Sequence, residues 1–211
     1  MEELLRMIEL YLFINPLDEF CLTLEKELLQ IGSHDPCRIR FNFIPVVTLQ
    51  LIQNHLSRCG LPTKDLALRN ELSQAIFSAT LDHKTVQLQG QKLGRQFLIR
   101  LQEEVSLRHR PYCPELVKSI LSELPVDMQM FDKDRHSDLV MESFNLDQQV
   151  AQEMGVEHYA TAVIFNDSNS DFGIRVDSNI KDELIKQVLN HTLTCSDSSV
   201  ITIDSRLWRR I

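Results

Sequence analysis

The sequence predicts an α/β fold divided by an all-helical insertion. Three observations carry that reading. Residues 7–14 form an apolar, strand-like run that opens into helical periodicity and then a second, alternating run. Residues 48–147 show only three- and four-residue apolar spacing, and strand patterns return after residue 160.

Residues 7–14 (Met-Ile-Glu-Leu-Tyr-Leu-Phe-Ile) are nearly continuous in apolar character, as a central parallel strand requires. A helix follows, with Leu22, Leu24, Leu28 and Leu29 on its stripe, running to Ile31 with Gly32 as its stop. Residues 37–46 alternate Ile39, Phe41 and Phe43 with Arg38, Arg40 and Asn42, which predicts a second strand ending near Pro45. Such a β-α-β unit implies parallel strands joined by a right-handed crossover. Helical spacing then runs through 65–88, 91–108 and 114–124, with Pro62, Pro111 and Pro114 between the segments. A further short helix is expected at 146–154, ended by Gly155. Residues 161–166 and 172–176 flank Asp167-Ser168-Asn169-Ser170 and predict an antiparallel hairpin. A last helix is expected at 180–193. The pattern places residues 1–47 and 146–211 in one domain and 48–145 in the helical insertion.

With 211 residues, 43% of them hydrophobic, the chain can bury a full core. Its formal charge of −8 argues against non-specific nucleic-acid binding, and no run of about eighteen apolar residues suggests a membrane span. Met1-Glu2-Glu3 is acidic and passes directly toward a strand, unlike a secretion signal. The five cysteines (21, 37, 59, 113 and 195) are odd in number and form no Cys-x-x-Cys, so a reducing, cytoplasmic setting is expected. Cys37 and Cys59 border apolar runs and read as small buried residues. The seven histidines (34, 55, 83, 109, 136, 158 and 191) form no helical i, i+4 pair, and most read as surface residues. Asp132, Asp134 and Asp138 read as a solvated helix end. No metal site and no cofactor are expected.

Between the first strand and the first helix stands Asn15-Pro16-Leu17-Asp18-Glu19-Phe20-Cys21. Strand, tight turn and a cysteine in the first helical turn form the layout of a thioredoxin-like active site, which carries Cys-x-x-Cys. Here Asp18 takes the first cysteine position and only Cys21 remains, so Asp18, Glu19, Phe20 and Cys21 make a degenerate redox motif. A dithiol oxidoreductase needs one thiolate to attack and a second thiol to resolve the mixed disulfide. Asp18 cannot attack a disulfide. Its carboxylate suits a helix N-cap, a stabilisation of roughly 0.5–2 kcal/mol. Asp18 and Glu19 also oppose a negative charge on Cys21, whereas the helix N-terminus favours one. No catalytic residue is assigned, and Cys21 is read as structural. The rival reading is a monothiol oxidoreductase or glutathione-linked transferase using Cys21.

The order β-α-β, helices, α-β-β-α resembles a thioredoxin-like fold of the DsbA family, with its long helical insertion. Met130-Phe131-Asp132-Lys133-Asp134-Arg135-His136-Ser137, Phe144 and Ala151-Gln152-Glu153-Met154-Gly155-Val156 resemble that family's passage out of the insertion. The resemblance puts the family's cis-proline at Ala160, or at Thr161 with a one-residue slip. A cis bond before a residue other than proline costs about 2.5–4 kcal/mol, so a trans Tyr159–Ala160 peptide is expected. Phe13-Ile14-Asn15-Pro16-Leu17 and Ala162-Val163-Ile164-Phe165-Asn166 are similar to the cytoplasmic YjbH/SpxH branch of Firmicutes. That resemblance implies an adaptor that hands an Spx-like regulator to the ClpXP protease machinery. It implies protein binding in place of redox turnover.

The tail adds one candidate surface. Residues 200–204 alternate like an edge strand, and 205–211 carry the only tryptophan among three arginines. Trp and Arg dominate interface hot spots, so Arg206, Trp208 and Arg209 form a candidate partner-docking segment beside the plainer reading of a packed edge.

Overall fold

The computed structural model describes residues 7–34, 38–166, 172–176 and 200–204. In chain order these residues form β1 (Met7–Ile14), α1 (Glu19–His34), β2 (Arg38–Pro45), α2 (Leu49–Arg58), α3 (Leu66–Leu88) and α4 (Gln91–Gln102). A π-helical turn at Glu103–Leu107 follows. Then come α5 (Pro114–Ser122), α6 (Met128–Asp134), α7 (Asp138–Glu153), β3 (Thr161–Asn166), β4 (Phe172–Val176) and β5 (Val200–Asp204). The α/β fold with a helical insertion is therefore present. The helix expected at 180–193, Cys37, Cys195 and the segment with Arg206, Trp208 and Arg209 lie outside the described residues.

The strands form one sheet in the order β2-β1-β3-β4-β5. β1 and β3 pair antiparallel, with Leu10 opposite Ile164 and Leu12 opposite Ala162. β3 and β4 form the expected hairpin, and β5 adds antiparallel to β4. Leu10, Tyr11, Leu12, Phe13 and Ile14 are all buried, so β1 is covered on both faces, as its unbroken apolar run requires. Gly173 meets a close approach. A Cβ there would sit 2.5 Å from the Phe165 ring that crosses it.

Helix starts follow the sequence closely. Thr48 caps α2 by accepting the Leu51 N–H, Asp65 caps α3 by accepting those of Ala67 and Leu68, and Asp127 caps α6 through Met130. Two boundaries differ from expectation. Gly32 does not stop α1, which runs on to His34. α7 begins at Asp138, well before residue 146, because Val140 and Phe144 extend the buried stripe of Val150 and Ala151.

The chain groups into two compact units, one of residues 1–14, 23–44 and 150–211 and one of 15–22 and 45–149. The first holds the sheet. The second is built on Ala79, Val86, Phe97, Leu101, Leu116, Val117, Ile120, Leu121 and Phe131 from α3 to α6. Full burial of each large apolar side chain contributes about 1.5–3 kcal/mol. That contribution, more than helix propensity, holds α6, whose seven residues are too few for a helix alone. The sequence pattern divided the chain at 47 and 146 and left the motif loop with the strands. Residues 15–22 instead join the helical unit, because Leu17 packs on its apolar clusters and Ser106 Oγ donates to the Leu17 carbonyl at 3.3 Å.

Candidate functional site

The loop between β1 and α1 is organised around Asp18. Asn15 Oδ1 accepts the Leu17 N–H at 2.9 Å, and the Asp18 N–H donates to the Asn15 carbonyl at 3.2 Å, closing a tight turn after β1. Asp18 then caps α1, its Oδ1 accepting the Cys21 N–H at 3.0 Å. Its second oxygen turns toward α2. Arg58 Nη2 donates to Oδ2 at 2.7 Å, and His55 Nδ1 lies 3.1 Å from the same atom. The Asp18 side chain is only 7% exposed, so these contacts decide its charge. Burial pushes its pKa up, but the hydrogen bond from His55, the charge of Arg58 and the Cys21 N–H outweigh it. The carboxyl is held below the usual aspartate range.

Cys21 is fully buried, and its Sγ receives the Asn15 N–H at 3.4 Å. A thiol in that position is a poor nucleophile for an external disulfide. Glu19 is exposed at the helix start, and Phe20 is 40% exposed with the Arg58 guanidinium 5.5 Å from its ring centre. Phe20 and Arg58 thus form a cation–π pair on the surface above the buried carboxylate.

His55, Arg58 and Cys59 were not picked out as site residues in the sequence, although they occupy the last turn of α2 and its C-cap. The available signal was the i, i+4 relation of His55 and Cys59, invisible to a search for histidine pairs alone. Cys59 is not the buried residue expected. It lies just past the end of α2, where the stripe of Leu51, Ile52 and Leu56 has run out, and it is exposed. Its Sγ lies 3.7 Å from His55 Nε2. Burial and the negative charge of Asp18 push its thiol up, against the opposing pull of Arg58. The histidines expected at the surface also divide: the His55 side chain is only 12% exposed, and His83 is buried with Nδ1 3.1 Å from the Gly94 carbonyl. Among the described residues, no group of three or more His, Cys, Asp and Glu side chains is placed to hold a metal.

In the sheet-bearing unit, the loop after α7 corrects a further expectation. The Tyr159–Ala160 peptide is cis, not trans. Tyr159, Ala160 and Thr161 are all buried, and Thr161 Oγ1 donates to the His158 carbonyl at 2.9 Å, so packing overrides the local preference. Arg175 Nη1 from β4 anchors the loop's start, donating to the carbonyls of Met154 at 3.2 Å and Gly155 at 2.8 Å.

The thioredoxin family profile matches residues 11–187, which include both the motif loop and the Ala160 loop. The chain belongs to the thioredoxin family. This thioredoxin-family chain is 27% identical over 197 residues to the ClpXP adapter protein SpxH of Bacillus licheniformis, covering 86% of this chain and 66% of that protein. It is 25% identical over 218 residues to the SpxH of Bacillus cereus, covering 90% of this chain and 70% of that protein. The chain thus spans about two thirds of the length of the curated relatives it matches. Solved structures of similar fold include a putative protein disulfide isomerase from Nitrosomonas europaea. It matches at TM-score 0.65 and 11% identity, over 88% of this chain and 97% of that one. Pseudomonas aeruginosa DsbA matches at TM-score 0.55 and 12% identity, over 90% of this chain and 83% of that one. These likenesses show a DsbA-like thioredoxin fold. No helix of the described residues is long and apolar enough to cross a membrane.

Proposed function

We propose that this chain is a non-catalytic thioredoxin-fold adaptor that binds an Spx-type transcriptional regulator and promotes its degradation by the ClpXP protease in the cytoplasm. The observation that carries this reading is the likeness over 86–90% of the chain to proteins named ClpXP adapter protein SpxH. The site supports it from the other side. An attacking thiol is replaced by a buried, three-times-bonded carboxylate, and Cys21 is sealed beneath it. Adaptors work by raising the effective concentration of substrate at the protease, or by shifting the substrate toward a degradable state. Neither needs a thiol pair. The surface around Phe20 and Arg58 is the proposed regulator contact, and residues 205–211 the second docking segment.

Reconstituted degradation tests the proposal. The Spx-type regulator, ClpXP and ATP are incubated with and without the chain, and regulator half-life is followed. The adaptor is expected to shorten the half-life severalfold, with Cys21→Ala as effective as the unaltered chain. Deletion of 205–211 is expected to remove regulator capture. A half-life that the chain leaves unchanged sinks the adaptor reading, and glutathione-dependent turnover abolished by Cys21→Ala would establish the enzyme in its place.

A further inference from the structure

We propose that Cys59 is the nucleophile of a thiol centre in which His55 is the base and Asp18 orients that base, and that this centre is S-thiolated by small disulfides. The proposal is independent of the adaptor reading. Three side chains from two separate segments contact one another in sequence, His55 in the middle. Asp18 Oδ2 is 3.1 Å from His55 Nδ1, and His55 Nε2 is 3.7 Å from Cys59 Sγ. Nucleophile, base and a third group that orients the base is the arrangement by which proteins activate a thiol.

The protonation pattern follows from the partners. Asp18, held ionised, can only accept, so the Nδ1 facing it carries the proton. Arg58 Nη2 also approaches Nδ1, at 3.4 Å, but a guanidinium can only donate and its bond goes to Asp18 at 2.7 Å. In that tautomer the Nε2 lone pair faces the Cys59 thiol. His55 is largely buried and fixed, whereas Cys59 is exposed and reachable. Partial burial, the charge of Asp18 and the C-terminal end of α2 disfavour a standing thiolate, so the proton leaves only as the sulfur reacts. Arg58 is the cation that favours the developing charge.

In the step, Cys59 Sγ attacks one sulfur of a disulfide RS–SR while His55 Nε2 takes the thiol proton. The S–S bond breaks with its electron pair on the departing sulfur, which recovers that proton from Nε2 and leaves as RSH. One disulfide is consumed and one mixed disulfide forms, so no other oxidant enters. Asp18, the N-cap of α1, thereby supports a thiol at the end of a different helix, α2.

The test uses the full chain with oxidised glutathione, following each cysteine by peptide mass spectrometry. At pH 7 Cys59 is expected to react at least about tenfold faster than half-buried Cys113, and His55→Asn to slow Cys59 on the order of a hundredfold. The Cys113 rate should stay unchanged in that variant, which reports that the helical unit is intact. Asp18→Asn should give an intermediate rate. If His55→Asn unfolds the chain, the unaltered protein's pH–rate profile decides: an inflection beyond simple thiol ionisation supports the centre. A profile that follows one thiol alone overturns it, as does Cys113 outrunning Cys59 or an unchanged Cys59 rate in folded His55→Asn.

Discussion

Replacing Asp18 by alanine removes three interactions at once, and each can be sized from the geometry. The N-cap bond to Cys21 at 3.0 Å is worth about 1 kcal/mol. The bond from His55 to a buried, charged acceptor is worth about 1.5 kcal/mol, because the imidazole is only 12% exposed and cannot recover full hydration. Arg58 loses less, about 0.5 kcal/mol, since its side chain is 38% exposed and can turn to water. Asp18→Ala should therefore cost about 3 kcal/mol, and Asp18→Asn, which keeps a cap acceptor but sheds the charge, about 2 kcal/mol. With a urea m-value of about 2 kcal/mol per molar, the alanine variant's midpoint should fall by about 1.5 M in circular dichroism. The pH dependence supplies a second reading. The Asp18 carboxyl has a folded-state pKa below its unfolded value, so its stabilisation is complete above about pH 3.9 and is lost as pH falls through the lower folded value. The gap between the unaltered chain and Asp18→Asn should be full at pH 6 and shrink below pH 4. A midpoint shift under about 0.3 M, or a gap that stays constant with acid, would show that this carboxylate holds nothing together.

Two further perturbations probe the helical unit. Lys84 Nζ lies 2.7 Å from Asp147 Oδ2, and burial pushes the Asp147 carboxyl up against the pull of that ammonium. Lys84→Ala should cost about 3 kcal/mol in urea unfolding by stranding the carboxylate, and adding Asp147→Asn should recover much of it; a loss under about 1 kcal/mol would refute the pair. Gly94→Ala puts a Cβ 2.9 Å from the Gln87 Cα between α3 and α4. It should lower stability by about 1–3 kcal/mol in the same assay despite alanine's helix propensity, and a more stable variant would show that the helices separate freely.

Local pattern carried the architecture. The unbroken apolar run of β1, the Asp65 cap and 3.6-period of α3, and the turn residues before β4 are features of neighbouring residues, and each element formed where its pattern stood. The absence of a Cys-x-x-Cys pair was equally plain, since it is a matter of residue identity. The reach of α7 back to Asp138 was harder to see because its stripe thins to Val140 and Phe144, which are buried by packing with Leu81, Phe77 and Leu88 of α3.

The sequence by itself determined the strand–turn–helix motif, its degenerate Asp18-Glu19-Phe20-Cys21 and the class of fold, because periodicity, breakers and spacing act over a few residues. Only the tertiary structure decided what Asp18 is for. Its partners His55 and Arg58 lie 37 and 40 positions along the chain, and their meeting depends on which face of α2 turns toward the motif loop. The cis Tyr159–Ala160 peptide belongs to the same class. Each reflects the packing of segments far apart in sequence, which overrides what the local residues would choose alone.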